Sequence, residues 1–145
     1  MRMAILAAAL AVAIPAMAAD VGLIKVSKGS VQIQRGAEKM PAAVGAALQA
    51  SDVIVTGADG FAGITFTDNS LVSVGPGSVF AIDKYRFDTT THQGEFEGNL
   101  RQGRLAAVSG KMVKQSPESM KIRTPSAIMG VRGTEFLVQV GDTAR

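Results

Sequence analysis

Few side chains in this sequence could carry out chemistry. Its 145 residues include no Cys and a single His, His92, which lies in a polar segment without a nucleophile motif. A hydrolytic triad needs a base to activate its nucleophile, and structural zinc sites are built mainly from Cys and His. Glu95 and Glu97 share one strand face and could form a carboxylate pair, but we expect such neighbours to face solvent. We therefore predict no catalytic residues, no metal site and no cofactor.

Residues 1–18 have the three parts of a secretory signal peptide. Arg2 provides a positive start, residues 3–14 are apolar, and small residues precede a cleavage position after Ala18. The apolar run is shorter than the roughly 20 residues that a membrane span needs. We therefore expect residues 1–18 to be removed on export and residues 19–145 to form one domain that does not span the membrane.

Basic residues are concentrated between Asn99 and Arg132, where Glu118 is the only acidic residue. Such a segment is either a set of solvated outward strand residues or a face that attracts an anionic partner. In an exported protein, that partner would be peptidoglycan, lipopolysaccharide or an acidic protein rather than nucleic acid. The residues of this candidate basic face are Arg101, Arg104, Lys111, Lys114 and Lys121.

The segment at residues 123–136 combines Pro, Gly and Arg in an unusual order. Pro125 should end the preceding strand, because proline cannot donate a hydrogen bond to the ladder. Gly130 and Gly133 allow sharp bends around Arg132. Arg132 is then either held at a corner by carbonyls or a nearby carboxylate, or presented to a partner.

Polar and apolar residues alternate through most of the sequence after the leader. Ala62, Ile64 and Phe66 face one side of a predicted strand. Turn signals rich in glycine follow one another at the short intervals typical of all-β folds. We predict a single all-β domain of many short strands, sandwich-like or jelly-roll-like, with a short stacked β-solenoid as the alternative. The Ala-rich stretch at residues 41–50 is an exception and could form a short helix.

The segment at residues 123–136 resembles the R-T-P-x-A-x-x-G-V-R-G-T-x-F pattern of FecR-family domains. Residues 51–62 are similar to the family's G-D-x-I-x-T-G-x-D-G-x-A stretch, and residues 66–70 and 75–78 to its F-x-D-G-S and G-P-x-S stretches. Ser51 and Asn69 stand where the family pattern has glycine. The resemblance makes the following residues candidates for an interaction site: Arg123, Thr124, Pro125, Gly130, Val131, Arg132, Gly133, Thr134 and Phe136.

The resemblance implies an exported, non-catalytic β domain for signalling or protein interaction. In signalling members of the family, this domain relays the occupancy of a TonB-dependent transporter in iron uptake to the control of a sigma factor. We expect this protein to lack the cytoplasmic and membrane-spanning segments and the C-terminal domain of those members. It resembles the stand-alone periplasmic members, so we expect a periplasmic location and an envelope or periplasmic protein as partner.

The end of the sequence also departs from the family pattern. Related domains continue into a further hairpin, whereas here residues 141–145 are all that follow Val140. Either the sequence is truncated at this point, or the domain lacks the final hairpin and its last strand has an open edge. An open edge is a template to which a partner can add a strand.

Overall fold

The computed structural model describes residues 19–131 and 135–140. The predicted signal peptide and the predicted site residues Arg132, Gly133 and Thr134 lie outside the described residues. About 60% of the described residues are in strands and 4% are helical, which confirms the all-β class. The elements are β1 (Asp20–Lys28), β2 (Val31–Arg35), β3 (Glu38–Pro41), β4 (Ala47–Gln49), β5 (Val53–Thr56), β6 (Phe61–Phe66), β7 (Leu71–Val74), β8 (Val79–Phe87), β9 (Gly94–Val108), α1 (Lys111–Gln115), β10 (Met120–Arg123), β11 (Ile128–Gly130) and β12 (Phe136–Val140).

The described strands form one curled sheet. Its main order is β3-β2-β5-β8-β9-β7-β6-β1-β4. Strands β10 and β12 pair with the edge of β9 opposite to β8 and β7, and β11 pairs with β10. All described pairs are antiparallel except β9 with β10. This pairing differs from that of a stacked solenoid, in which neighbouring strands run parallel.

Strand β9 belongs to both halves of the curled sheet, because its first part pairs with β8 and its last part with β7. We call β2, β3, β5, β8, β10 and β11 the β8 half, and β1, β4, β6, β7 and β12 the β6 half. The halves pack face to face. The ring of Phe66 in β6 lies 4.7 Å from that of Phe96 in β9 and 5.2 Å from that of Tyr85 in β8. One buried apolar cluster therefore draws on both halves.

Gly103 marks the point where β9 changes partners. Its φ of +90° lies in the left-handed region that favours glycine, and a Cβ there would collide with Ser78. The buried hydroxyl of Ser78 accepts a hydrogen bond from the N–H of Arg104 at 3.0 Å. The N–H of Ser78 donates to Thr56 Oγ1 at 2.9 Å, and that hydroxyl donates to the carbonyl of Gly75 at 2.6 Å. These bonds satisfy backbone groups where regular strand pairing is interrupted.

The structure confirms the predicted alternation of β6, in which Ala62, Ile64 and Phe66 are buried. The short helix considered for residues 41–50, against which Gly45 already counted, does not form. This stretch forms a turn, with Gly45 at φ +91°, followed by β4, which pairs with β1. Burial of Leu48 and pairing with β1 outweigh the helical propensity of the alanines.

Three described residues other than glycine adopt left-handed backbone conformations: Ser51, Asn69 and His92. Ser51 has φ 74° and Asn69 has φ 67°. These are the two positions at which the sequence departs from glycine in the family pattern. Asn tolerates this conformation better than Ser, because its short amide can hydrogen-bond locally. Ser51 is therefore the more strained of the two.

Replacing Ser51 with Gly should raise the free energy of unfolding by about 0.5–1 kcal/mol, because relief of the left-handed conformation outweighs the added freedom of the unfolded chain. Asn69→Gly should gain less. The matched control is Gly36→Ala, at φ +60° with open space around it, which should lose about 1 kcal/mol. Denaturant unfolding measures all three variants, and a Ser51→Gly variant less stable than wild type would contradict the account.

Candidate functional site

Asp52, in the first stretch of the family pattern, is buried and paired with Arg35. Its carboxylate accepts hydrogen bonds from Arg35 Nε at 2.9 Å and Nη2 at 2.8 Å, and from the N–H of Gln49 at 2.8 Å. Arg35 also donates to the carbonyl of Ala47 at 3.2 Å. The hydrogen bond to Asp52 raises the pKa of the Arg35 guanidinium. The pair joins the end of β2 to β4 and β5, so Asp52 has a structural role.

Asp68 and Ser70, in the second stretch, fix the turn between β6 and β7. Asp68 accepts from the N–H of Ser70 at 3.0 Å, from its hydroxyl at 2.7 Å, and from the hydroxyl of Tyr85 at 3.1 Å. Ser70 Oγ accepts from the N–H of Gly110, just before α1, at 3.1 Å. Burial raises the pKa of Tyr85, so its phenol stays protonated and can donate. The requirements of folding therefore explain both residues.

Residues 124–127, within the 123–136 segment of the family pattern, form an exposed turn between β10 and β11. Strand β10 ends at Arg123, before Pro125, as expected. The N–H of Thr124 donates to the carbonyl of Ala127 at 2.8 Å, and the N–H of Ala127 donates to Thr124 Oγ1 at 3.1 Å. Pro125 and Ala127 themselves are exposed. Their side chains contribute little to the core, so this turn is the part of the pattern that folding explains least.

The following residues of the pattern return to the sheet. Gly130 lies within β11 and pairs with Lys121, so the bend predicted there is wrong: strand pairing continues through it. Val131 is fully buried, and its N–H donates to the carbonyl of Met120 at 2.9 Å. Phe136 is half-buried in β12 and packs against the core.

A groove of about 750 Å³ lies beside the exposed turn. Its floor is formed by residues 101–103 of β9. Within the described part of the chain, β10 pairs with β9 only up to Asn99 and β12 pairs with it from Gly103 onward, so a gap remains on this edge. The turn at residues 124–127 forms one wall, and the end of β12 forms the other.

Four of the described strands, β3, β4, β11 and β12, have a partner on one edge only. Three of them have features that discourage further pairing. Strand β3 contains Glu38, Lys39 and Pro41, while β4 and β11 are three residues long. Strand β12 is five residues long and contains neither charge nor proline, and its Leu137 is 75% exposed. Among these edges, β12 is therefore the most open to another strand.

The five residues of the predicted basic face are all exposed. Arg101 lines the groove beside the turn, Arg104 lines a second groove on the β6 half, and Lys121 lines a third depression. Lys111 and Lys114 lie on α1. Binding of peptidoglycan or lipopolysaccharide stays a prediction.

The residues considered for catalysis contact other side chains. Glu97 is only 13% exposed and pairs with Arg123 at 3.8 Å, so the expectation that it faces solvent is wrong: the neighbouring strand covers it. Glu95 pairs with Arg86 at 3.9 Å, and His92 is half-buried with its ring stacked on that of Phe87 at 5.9 Å. Across residues 19–131 and 135–140, no three acidic or histidine side chains are arranged to hold a metal ion.

The fold defines the class of protein as an all-β domain with an exposed turn at residues 124–127. The chain matches the family model described as FecR protein over residues 52–145, which is more than half of its length. It therefore belongs to the FecR family, a regulatory and signalling family of the membrane and periplasm that is not known to be enzymatic. Comparison with curated proteins and with solved structures gave no match. The described residues contain no helix long and apolar enough to cross a membrane.

Replacing Arg35 with Met should lower the free energy of unfolding by about 2–3 kcal/mol, because the buried carboxylate of Asp52 loses its charged partner. The matched control is Arg86→Met, which removes an exposed arginine from a pair with Glu95 at 3.9 Å. It should cost less than about 0.5 kcal/mol. Equal losses in the two variants, measured by denaturant unfolding, would contradict a structural role for Asp52.

Proposed function

We propose that this protein is an exported, non-catalytic regulatory module of the cell envelope that acts by binding an envelope or periplasmic protein. The partner adds an extended strand to the open edge of β12, beside the exposed turn at residues 124–127. Membership of the FecR family supports a signalling role in the periplasm, and the signal-peptide pattern of residues 1–18 supports export. The observation that carries the binding mode is the uncharged edge of β12, unpaired among the described strands.

The backbone of β12 has hydrogen-bonding groups directed toward such a partner. The carbonyl of Arg104 accepts a 2.9 Å hydrogen bond from the segment after β7, so the backbone groups of Leu105 face β12. Leu105 is paired with Val138. Because successive residues direct their backbone groups to opposite edges, those of Leu137 and Gln139 point away from β9. An added strand would bond to these two residues.

The side chains of β12 favour an added strand on both faces of the sheet. Phe136 and Val140 are half-buried and pack against the core, while Leu137 is exposed on the outer face. A neighbouring strand would cover the apolar surface that these three residues leave open. Each square ångström of apolar surface removed from water contributes about 25 cal/mol. Backbone pairing and apolar burial therefore favour the same binding mode.

Replacing Leu137 with Lys should abolish binding of the protein partner, because a charge on an edge strand opposes strand addition. Leu137→Pro should do the same by removing an N–H that points away from β9. The matched control, Val44→Lys, places the same charge at another exposed apolar residue and should bind normally. The measurement is affinity capture from an envelope extract, followed by quantification of each retained protein.

Thermal unfolding of the three variants controls for stability, and we expect all of them to remain folded. If the Leu137→Lys variant retains the same proteins in the same amounts as wild type, strand addition at β12 is wrong. If retention falls instead with rising salt and involves sacculi, the anionic-polymer function replaces the proposed one.

A further inference from the structure

An added strand would lie along β12, and two arginines border the C-terminal end of that edge. Arg104 is opposite Gln139 in the pairing of β9 with β12, and it lines a groove of about 370 Å³ together with Leu137. Arg101 lines the larger groove, in which Gln139 and Val140 belong to the opposite wall. The same end of the open edge therefore has a cation on each side.

Neither arginine has a carboxylate within 4.0 Å in the part of the chain that the structure describes. The arginines that do form ion pairs there are Arg35, Arg86 and Arg123. No described acidic residue lines either groove. The two cations at the end of β12 thus differ from the other exposed strand arginines, each of which is paired with a Glu.

Arg104 is also held in position by the fold. Its N–H donates to Ser78 Oγ at 3.0 Å, and its carbonyl accepts from the N–H of Gly75 at 2.9 Å. The aliphatic part of its side chain lies over Gly75, where a Cβ would come within 2.7 Å of Arg104 Cγ. A side chain that is already packed loses less conformational entropy when it binds a ligand.

We infer that the strand bound at β12 is acidic, with a carboxylate beside Gln139 that Arg101 and Arg104 bind. The inference rests on the proposed function and specifies the chemistry of its partner. Neighbouring strands lie about 4.8 Å apart, so the added strand lies roughly 10 Å from β9. Extended Arg and Glu side chains together span that gap. Charged groups at such an edge select the partner and fix its register.

The inner face of the same strand requires a different chemistry. Phe136 and Val140 direct their side chains toward the core and are half-buried. Residues of the added strand that face the same way would be apolar, because side chains alternate between the two faces of a sheet. The ligand is therefore an extended segment that alternates apolar and polar residues and carries acidic residues on its outer face at one end.

The test uses the purified protein and synthetic peptides of alternating Val and Thr, N-methylated on alternate residues so that each offers one edge for pairing. One peptide carries two Glu residues at its N-terminal end, which antiparallel pairing places beside Gln139. The matched peptides carry two Gln or two Lys residues there. Fluorescence anisotropy measures their affinities at low and high salt for wild type, Arg101→Gln, Arg104→Gln and Leu137→Pro. Arg86→Gln is the control for loss of an exposed arginine.

We expect the Glu peptide to bind at least about tenfold more tightly than the Gln peptide at low salt, and the Lys peptide to bind most weakly. Arg101→Gln and Arg104→Gln should each reduce this preference, and Arg86→Gln should preserve it. Equal binding of all three peptides, lost in Leu137→Pro, would overturn the acidic preference while supporting strand addition. No binding by any peptide would overturn strand addition as well.

Discussion

At Gly103, β9 stops pairing with β8 and begins to pair with β7, and the backbone groups at that point still need hydrogen-bond partners. Ser78 and Thr56 supply them from the neighbouring turn. The same change of partners joins the two halves around one core and places β12 along the last part of β9. Beside this point, residues 101–103 have neither β10 nor most of β12 as a neighbour, and they form the floor of the groove. The groove, the open edge and the positions of Arg101 and Arg104 all depend on this irregularity in one strand.

The family pattern divides into residues that the fold needs and residues that it leaves exposed. The side chains of Asp52 and Asp68 are buried and hydrogen-bonded, and their polar groups are satisfied within the domain. The turn at residues 124–127 is different, since its backbone bonds to itself and its side chains face solvent beside the groove. A binding function built on the exposed turn and β12 leaves the buried framework unchanged, so partners could differ among domains that share this framework.

The sequence was sufficient to predict the features that depend on local pattern. Period-two alternation predicted β6, and the inability of proline to join the ladder predicted the end of β10 before Pro125. Features that depend on distant residues were not predictable. Nothing local identifies Arg35 as the partner of Asp52, or brings Arg101 and Arg104 to the end of β12. The conformation of residues 41–50, for which a short helix was one possibility, also depends on distant residues, because β4 pairs with β1. An open edge at the last strand was one of two expectations, but only the strand pairing distinguishes β12 from the other edges.

Hydrogen exchange of the individual amides in β12 tests most directly whether its edge is open in the free protein. The N–H groups of Phe136, Val138 and Val140 face β9, so we predict slow exchange for these three. The N–H groups of Leu137 and Gln139 point away from β9 and should exchange much faster, becoming protected only when a strand binds. Equal protection of all five amides in the free protein would mean that the edge is already covered, and would contradict strand addition at β12.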